Sequence, residues 1–469
     1  MTVTQKTYNL NLINIDQYKT LAGQDDIAGQ DDIAGQDDIT EQDITAKKIT
    51  AKKCEYNDCS YTIVKYKKSA LVEEEYSTLG LARSIIICDG NVVALSPPKS
   101  LPYNDFLTTN PSEQCFAEDF IDGTMINLFY NPNPKVNDWV ISTRSRVGAD
   151  TLFFVMDTNT NTNTDVTNTD VTNTDVTNTD VTNINDTNTN TNTNDTNTIT
   201  KRTFKDMFYE AAQIANLDFS RLDNNWCYSF VLQHPNNRIV TPIDFPKLFL
   251  IRAYNINNET NLVTEVASEV LLNNSGGFWN TTVLHPQRYA IDTYDNLADY
   301  YNNAVTPFYC VGIVVNSASG RTKIRNKNYE TIRELRGNQS RLQYHYLTLR
   351  KGGRVREFLA FYPEFANHFS RYRQTIHEYT SALYNNYINC FIRKERPLKE
   401  YPYEFKVHMF NLHQKYLADL KPNNGYIDKQ ATIAYFNGLH PSQQMHILNC
   451  RAKLALDNRE NLSQEMVIE

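Results

Sequence analysis

No uninterrupted apolar stretch in the 469-residue chain approaches the roughly 20 residues a membrane-spanning helix needs, so no membrane partner is expected. The first thirteen residues have neither the basic start nor the apolar centre of a secretory signal. Cysteine is sparse: eight copies are scattered, and the close pair Cys54 and Cys59 has neither metal-ligand nor redox spacing. No disulfide partner is expected, and the plain expectation is a reduced, intracellular protein. His408 and His413 lack an evident carboxylate partner, and no metal site is expected there.

Positive charge is scarce overall but concentrated locally. The formal charge is −8, yet residues 157–200 hold seven Asp and no Lys or Arg, so the rest of the chain carries only −1. Eleven basic residues crowd the stretch from Arg321 to Arg356, opposed there by Glu330 and Glu334. A basic field within a near-neutral protein fits a polyanionic partner such as RNA. It equally fits a solvated basic helix and loop.

The residues that are present describe a globular protein. The chain is 41% hydrophobic and 12% aromatic, with Tyr the commonest ring, and its length allows two or three domains. Two low-complexity tracts interrupt it. Residues 22–53 hold three AGQDDI copies, TEQDI and two TAKK copies, and residues 157–200 repeat DVTNT and NT units. Neither carries enough apolar surface to offset the entropy of ordering it, so both are expected to be mobile. Alternation predicts strands at 84–88, 91–96, 124–130, 139–146, 227–233, 248–254 and 308–316. Three- and four-residue spacing predicts helices at 204–217, 365–387, 405–416 and 433–439. The aromatic residues in the last three read as core rather than as base-stacking platforms. The resulting architecture is α+β. A low-complexity segment (1–53) precedes an antiparallel-sheet domain (54–345) carrying the 157–200 insert, and a helical domain (346–469) follows.

Four segments in order carry a recognisable chemistry. They are "ARSIIICDGNVVALSPPKSLPYNDF" (82–106), "FIDGT" (120–124) with "STRSR" (142–146), "HPNNRIV" (234–240), and "VGIVV" (311–315) with "KIR" (323–325). Asp-Gly alone is a common hairpin turn. Together the four resemble the phage-type RNA ligases of the covalent nucleotidyltransferase superfamily, which join RNA ends with ATP. The resemblance spans about residues 80–330 and implies an ATP-grasp-like ligase core, with a helical C-terminal domain of the kind that binds RNA. Composition adds a second likeness: Asn, Ile, Tyr and Lys richness with slippage-like repeats resembles proteins of large DNA viruses, so an infected cell or a virion is the setting it implies.

The departures from the family pattern concern its chemistry. The resemblance places the family's nucleophilic lysine at Phe120, which has no lone pair with which to attack an α-phosphate. It places family glutamates at Val231 and Val311, which offer no oxygen to Mg²⁺. The trio is expected to pack together as core in a former active site. Lys99 and Lys135 are the nearby lysines, and both lie outside the motif register. Arg83, Asp122, Gly123, Arg238, Lys323 and Arg325 survive as candidate nucleotide- or phosphate-binding residues. The principal expectation is a catalytically degenerate ligase-like protein that binds RNA or another polyanion without a cofactor. The alternatives are an active ligase with displaced groups, using ATP and Mg, and a viral structural or assembly protein.

Overall fold

The computed structural model describes residues 6–21, 48–152, 202–271 and 277–450. Residues 22–47 and the whole 157–200 insert lie outside the described residues, and with them the expectation that they are mobile. The described residues form two compact units, one running to Arg336 and one beginning at Gly337. The division falls within the basic stretch, so Arg321–Arg336 and Arg341–Arg356 belong to different units.

The first unit is built on three antiparallel sheets. One runs in the order β1 (Thr7–Asn9), β11 (Leu262–Glu265), β10 (Lys247–Asn257), β9 (Trp226–Gln233), β7 (Thr124–Asn131) and β8 (Asp138–Ser142). The second orders β12 (Arg288–Ala290), β6 (Phe116–Asp119), β13 (Gly312–Asn316) and β14 (Arg321–Arg325). The third is β2 (Ile49–Tyr56), β3 (Cys59–Tyr66), β4 (Ile85–Cys88) and β5 (Asn91–Leu95). With the helices, this is the mixed α and antiparallel-β class expected from the sequence.

Alternation along β9 separates two environments. Tyr228, Phe230 and Leu232 share a core with Phe204, Met207, Phe208 and Ala211 of the helix Phe204–Ile214. That helix begins with reciprocal capping: Thr203 Oγ1 accepts from the Asp206 amide at 3.2 Å, and the Asp206 carboxylate accepts from the Thr203 amide at 2.9 Å. Each of these buried large side chains stabilises the fold by about 2–3 kcal/mol. Cys227, Ser229 and Val231 point the other way, toward the third sheet and the site described below.

The N-terminal boundary needs correction. Within the segment expected to be low-complexity through residue 53, Leu10, Ile13, Ile15 and Tyr18 pack with Ile49, Val64 and Ile85. The second TAKK copy lies in β2 and pairs residue for residue with β3, from Ile49 opposite Tyr66 to Lys53 opposite Thr62. Backbone pairing to a buried neighbour orders a strand whose own side chains are mostly polar. "STRSR" is likewise not a strand beyond Ser142: a turn returns the chain, with the Thr143 amide donating to the Arg146 carbonyl at 2.9 Å. The strand expected from 308 starts at Gly312, because a turn closes from the Cys310 amide to the Pro307 carbonyl at 3.0 Å.

The second unit is helical, with Leu342–Lys351, Val355–Phe361, Ala366–Tyr387, Tyr403–Lys415 and Lys429–Gly438. Phe369, Ile376, Leu383 and Tyr387 of the long helix are buried, as are Phe405, Met409 and Leu412. The rings of Tyr379 and Phe405 stack with centroids 5.1 Å apart. Among the described residues no helix is long and apolar enough to cross a membrane. All eight cysteines are free thiols.

Candidate functional site

Register places the charged residues of the second sheet on one face. Val314 pairs with Lys323 on one side and Glu118 on the other, and Gly312 pairs with Arg325. Period-two alternation then puts Glu118 and Phe120 on the same face as Arg321, Lys323 and Arg325. The opposite face carries Ala117, Ile313 and Ile324, which form an apolar cluster. The charged face is tied to the six-stranded sheet through Arg252 of β10, which pairs with Glu118 and donates to Asn316 Oδ1 at 3.0 Å. Glu265 of β11 joins it at 3.5 Å from Arg252 Nε. Burial favours the neutral form of Glu265, but the charges of Arg252 and Lys6 outweigh that and lower its pKa. Lys6 donates to the Gly320 carbonyl at 2.7 Å, and burial brings its amine down to about 8.

Phe120 sits at the edge of this face. Its amide donates to the Gly312 carbonyl at 3.3 Å, in register with β6 and β13. The ring is half-buried and covered by two cations, Lys323 Nζ at 5.7 Å and Arg325 Cζ at 5.5 Å from its centroid. Arg325 also holds Glu330 at 2.6 Å, and its Nε is buried without a hydrogen-bond partner. The nucleophile position of the ligase resemblance is thus an apolar platform for positive charge. Val231 and Val311 are both buried. Val231 lies in the β9 ladder opposite Met125 and Phe249, and the Val311 carbonyl accepts from the Asn326 amide at 3.0 Å.

Asp122 is committed to holding the fold. Its Oδ2 accepts from the Val240 and Thr241 amides at 3.1 and 2.9 Å, and Oδ1 accepts from the Tyr329 hydroxyl at 2.7 Å. Its carbonyl accepts from Gln233 Nε2 at 2.8 Å. The carboxylate therefore pins the "NNRIV" loop and the helix Lys327–Arg336 to the β6–β7 connection. Burial, and then the Asp122 charge, raise the Tyr329 hydroxyl far above its usual range. Gly123 is required next to it: φ is +136°, and a Cβ there would meet the Leu232 carbonyl oxygen at 2.5 Å and Val231 Cγ1 at 2.7 Å. Arg238 turns back on its own loop, with Nε donating to the Val240 carbonyl at 3.2 Å, while its carbonyl accepts from Arg336 Nε at 3.1 Å. Asn237 Nδ2 fixes the same loop to Thr124 Oγ1 at 2.8 Å.

Arg83 belongs to a different group of three arginines, two of which share one carbonyl. Arg83 Nη1 and Arg321 Nη2 each donate to the Pro97 carbonyl at 3.2 Å, and Arg321 also donates to Pro98 at 2.6 Å. Arg144 Nε donates to the Arg83 carbonyl at 3.0 Å, and its guanidinium lies 5.5 Å from the Tyr66 ring centre. Lys99 joins the rim, 4.0 Å from the Tyr76 ring centre and 5.6 Å from that of Tyr66. Burial first, then the charges of Arg321 and Arg144, lower the Arg83 guanidinium to about 10. Arg321 Nε is buried without a hydrogen-bond partner. Mutual repulsion of this kind is relieved by an anion, and guanidiniums suit phosphate oxygens.

The sequence motifs thus divide in space. Phe120, Lys323 and Arg325 come together, Asp122 and Gly123 meet the loop that carries Arg238, and Arg83 joins Arg144 and Arg321. Tyr329, Arg252, Glu118, Glu265 and Lys6 were not singled out from sequence. Most of their partners lie far away in the chain, 207 positions for Tyr329 and Asp122, and no local pattern marks them. Among the described residues, no group of His, Cys, Asp or Glu could hold a metal ion. Comparison with models of known families and with curated proteins yields no match.

Proposed function

We propose that the protein is a ligase-like RNA-binding protein that grips backbone phosphates and does not transfer nucleotides. The observation that carries this reading is the three-arginine group of Arg83, Arg144 and Arg321, whose mutual repulsion favours a bound anion. Lys323 and Arg325, over the Phe120 ring, extend the positive surface along the same face as Arg321. The side chain at position 120 offers no nucleophile, and the Asp122 oxygens already accept three hydrogen bonds within the fold. An RNA strand would bind by neutralising these cations and releasing counterions.

The direct test of the missing chemistry is incubation with labelled ATP and Mg²⁺, followed by denaturing electrophoresis. The reading expects no lysine-linked AMP; such an adduct overturns it. One observation favours a second reading, an active transferase with a displaced amine. Lys6, brought down to about 8, lies beside Arg321 and Arg252. That reading expects an adduct that disappears in Lys6→Arg. A structural or assembly role predicts neither an adduct nor salt-dependent RNA binding.

A further inference from the structure

A second surface feature lies in the six-stranded sheet, away from the arginine group. Tyr130 of β7 pairs directly opposite Trp139 of the edge strand β8. Their rings meet edge-to-face with centroids 5.6 Å apart, and Trp139 also packs on Phe219 at 6.4 Å. All three rings are half-buried, at the end of the core described for β9. They line an open cavity of about 550 Å³ together with Asp138, Asp218 and Asn224. That volume lies within the usual range of small-molecule sites.

The lining combines aromatic faces with carboxylates and includes no Lys or Arg. Asp138 and Asp218 are exposed. Asp138 Oδ1 accepts from the Trp139 amide at 2.7 Å, which fixes its carboxylate at the start of β8. Asp218 accepts from the Ser220 hydroxyl at 2.7 Å and its amide at 3.0 Å, and these bonds keep it below the usual carboxylate range. Arg221, the cation whose charge reaches Asp218, donates its own Nη1 proton to the Trp279 carbonyl at 3.2 Å. Aromatic faces attract cations through the ring quadrupole, and carboxylates on the rim add directional charge. A phosphate or a carboxylate ligand would meet only repulsion here.

We infer that this cavity is a binding site for an alkylammonium group, held over Tyr130, Trp139 and Phe219 and paired with Asp138 and Asp218. The group is found on a quaternary ammonium ion and on a primary polyamine alike, and the experiment separates these sources. Calorimetric titration of the whole protein with tetramethylammonium and with putrescine, against sodium at matched ionic strength, measures it. Saturable binding of either ion below about 20 mM, absent for sodium, is expected. The Asp138→Asn/Asp218→Asn variant should weaken that binding by roughly fivefold or more. Asparagine still accepts the Ser220 and Trp139 amide bonds, so this variant keeps the local turn, which an unchanged thermal unfolding curve verifies. Tighter binding of tetramethylammonium identifies a quaternary ligand, and tighter binding of putrescine a polyamine. The inference is overturned if neither ion saturates, if sodium reproduces the heats, or if the variant binds as well as the parent protein.

Discussion

The Tyr329 hydroxyl donates to Asp122 Oδ1 at 2.7 Å, joining the β6–β7 connection to a helix 207 positions further along the chain. With the Val240 and Thr241 amides on the other oxygen, this makes Asp122 a buried anchor. Tyr329→Phe removes one donor from a buried carboxylate and should cost about 1–3 kcal/mol in urea unfolding. Asp122→Ala strands three donors and should cost about 3 kcal/mol or more. The double variant should cost less than the sum, with a coupling of about 1 kcal/mol, because the two residues share one bond.

Gly123→Ala should destabilise by about 2–4 kcal/mol, since the new methyl overlaps the Leu232 carbonyl at a left-handed φ. Denaturant midpoints check this. A neutral outcome would mean that the β6–β7 connection shifts freely, contrary to the hydrogen bonds on Asp122.

Introducing a lysine at position 120, where the ligase resemblance places the nucleophile, should not create chemistry. Phe120→Lys places a third cation beside Lys323 and Arg325, where the ring now lies 5.7 and 5.5 Å from them. Repulsion lowers the new amine's pKa, but Val231 and Val311 still supply no oxygen for Mg²⁺. Labelled ATP should leave no covalent adduct on this variant.

The buried amine of Lys6 makes a pH prediction. Its pKa falls from 10.5 in the unfolded chain to about 8 in the fold. Between those values the unfolded state binds more protons, so this group's contribution raises stability as pH climbs from 8 toward 10.5. The full effect is about 3 kcal/mol. Lys6→Met should flatten that rise in unfolding curves taken across this window. Buried tyrosines such as Tyr254, raised chiefly by burial, also lose stabilisation above pH 10 in both proteins, so the comparison is the difference between them.

Much of the framework is legible in the sequence because local pattern carries it. The β9 alternation and the capped helix Phe204–Ile214 each declare themselves within a dozen residues, and so does the stripe from Phe369 to Tyr387. What escaped depends on pairing that the segment's own pattern does not show. β2 looks like repeat sequence and becomes a strand only because β3 offers a ladder. The basic stretch after Arg321 reads as one field, yet it divides between two units. At the candidate site, Arg83 and Arg321 are 238 positions apart in the numbering. Only the fold brings them to the same Pro97 carbonyl. The motif order pointed to Asp122 as a nucleotide contact; its hydrogen bonds give it a structural task instead.

The account rests on the arginine group binding a phosphate backbone. The most direct measurement is the affinity for single-stranded RNA at stepped salt concentrations, for the parent protein and for Arg83→Ala and Arg321→Ala. Affinity should fall linearly with salt on logarithmic axes, and each variant should bind more weakly with a slope shallower by about 0.7. No RNA binding at low salt, or variants with the parent's affinity and slope, would contradict it.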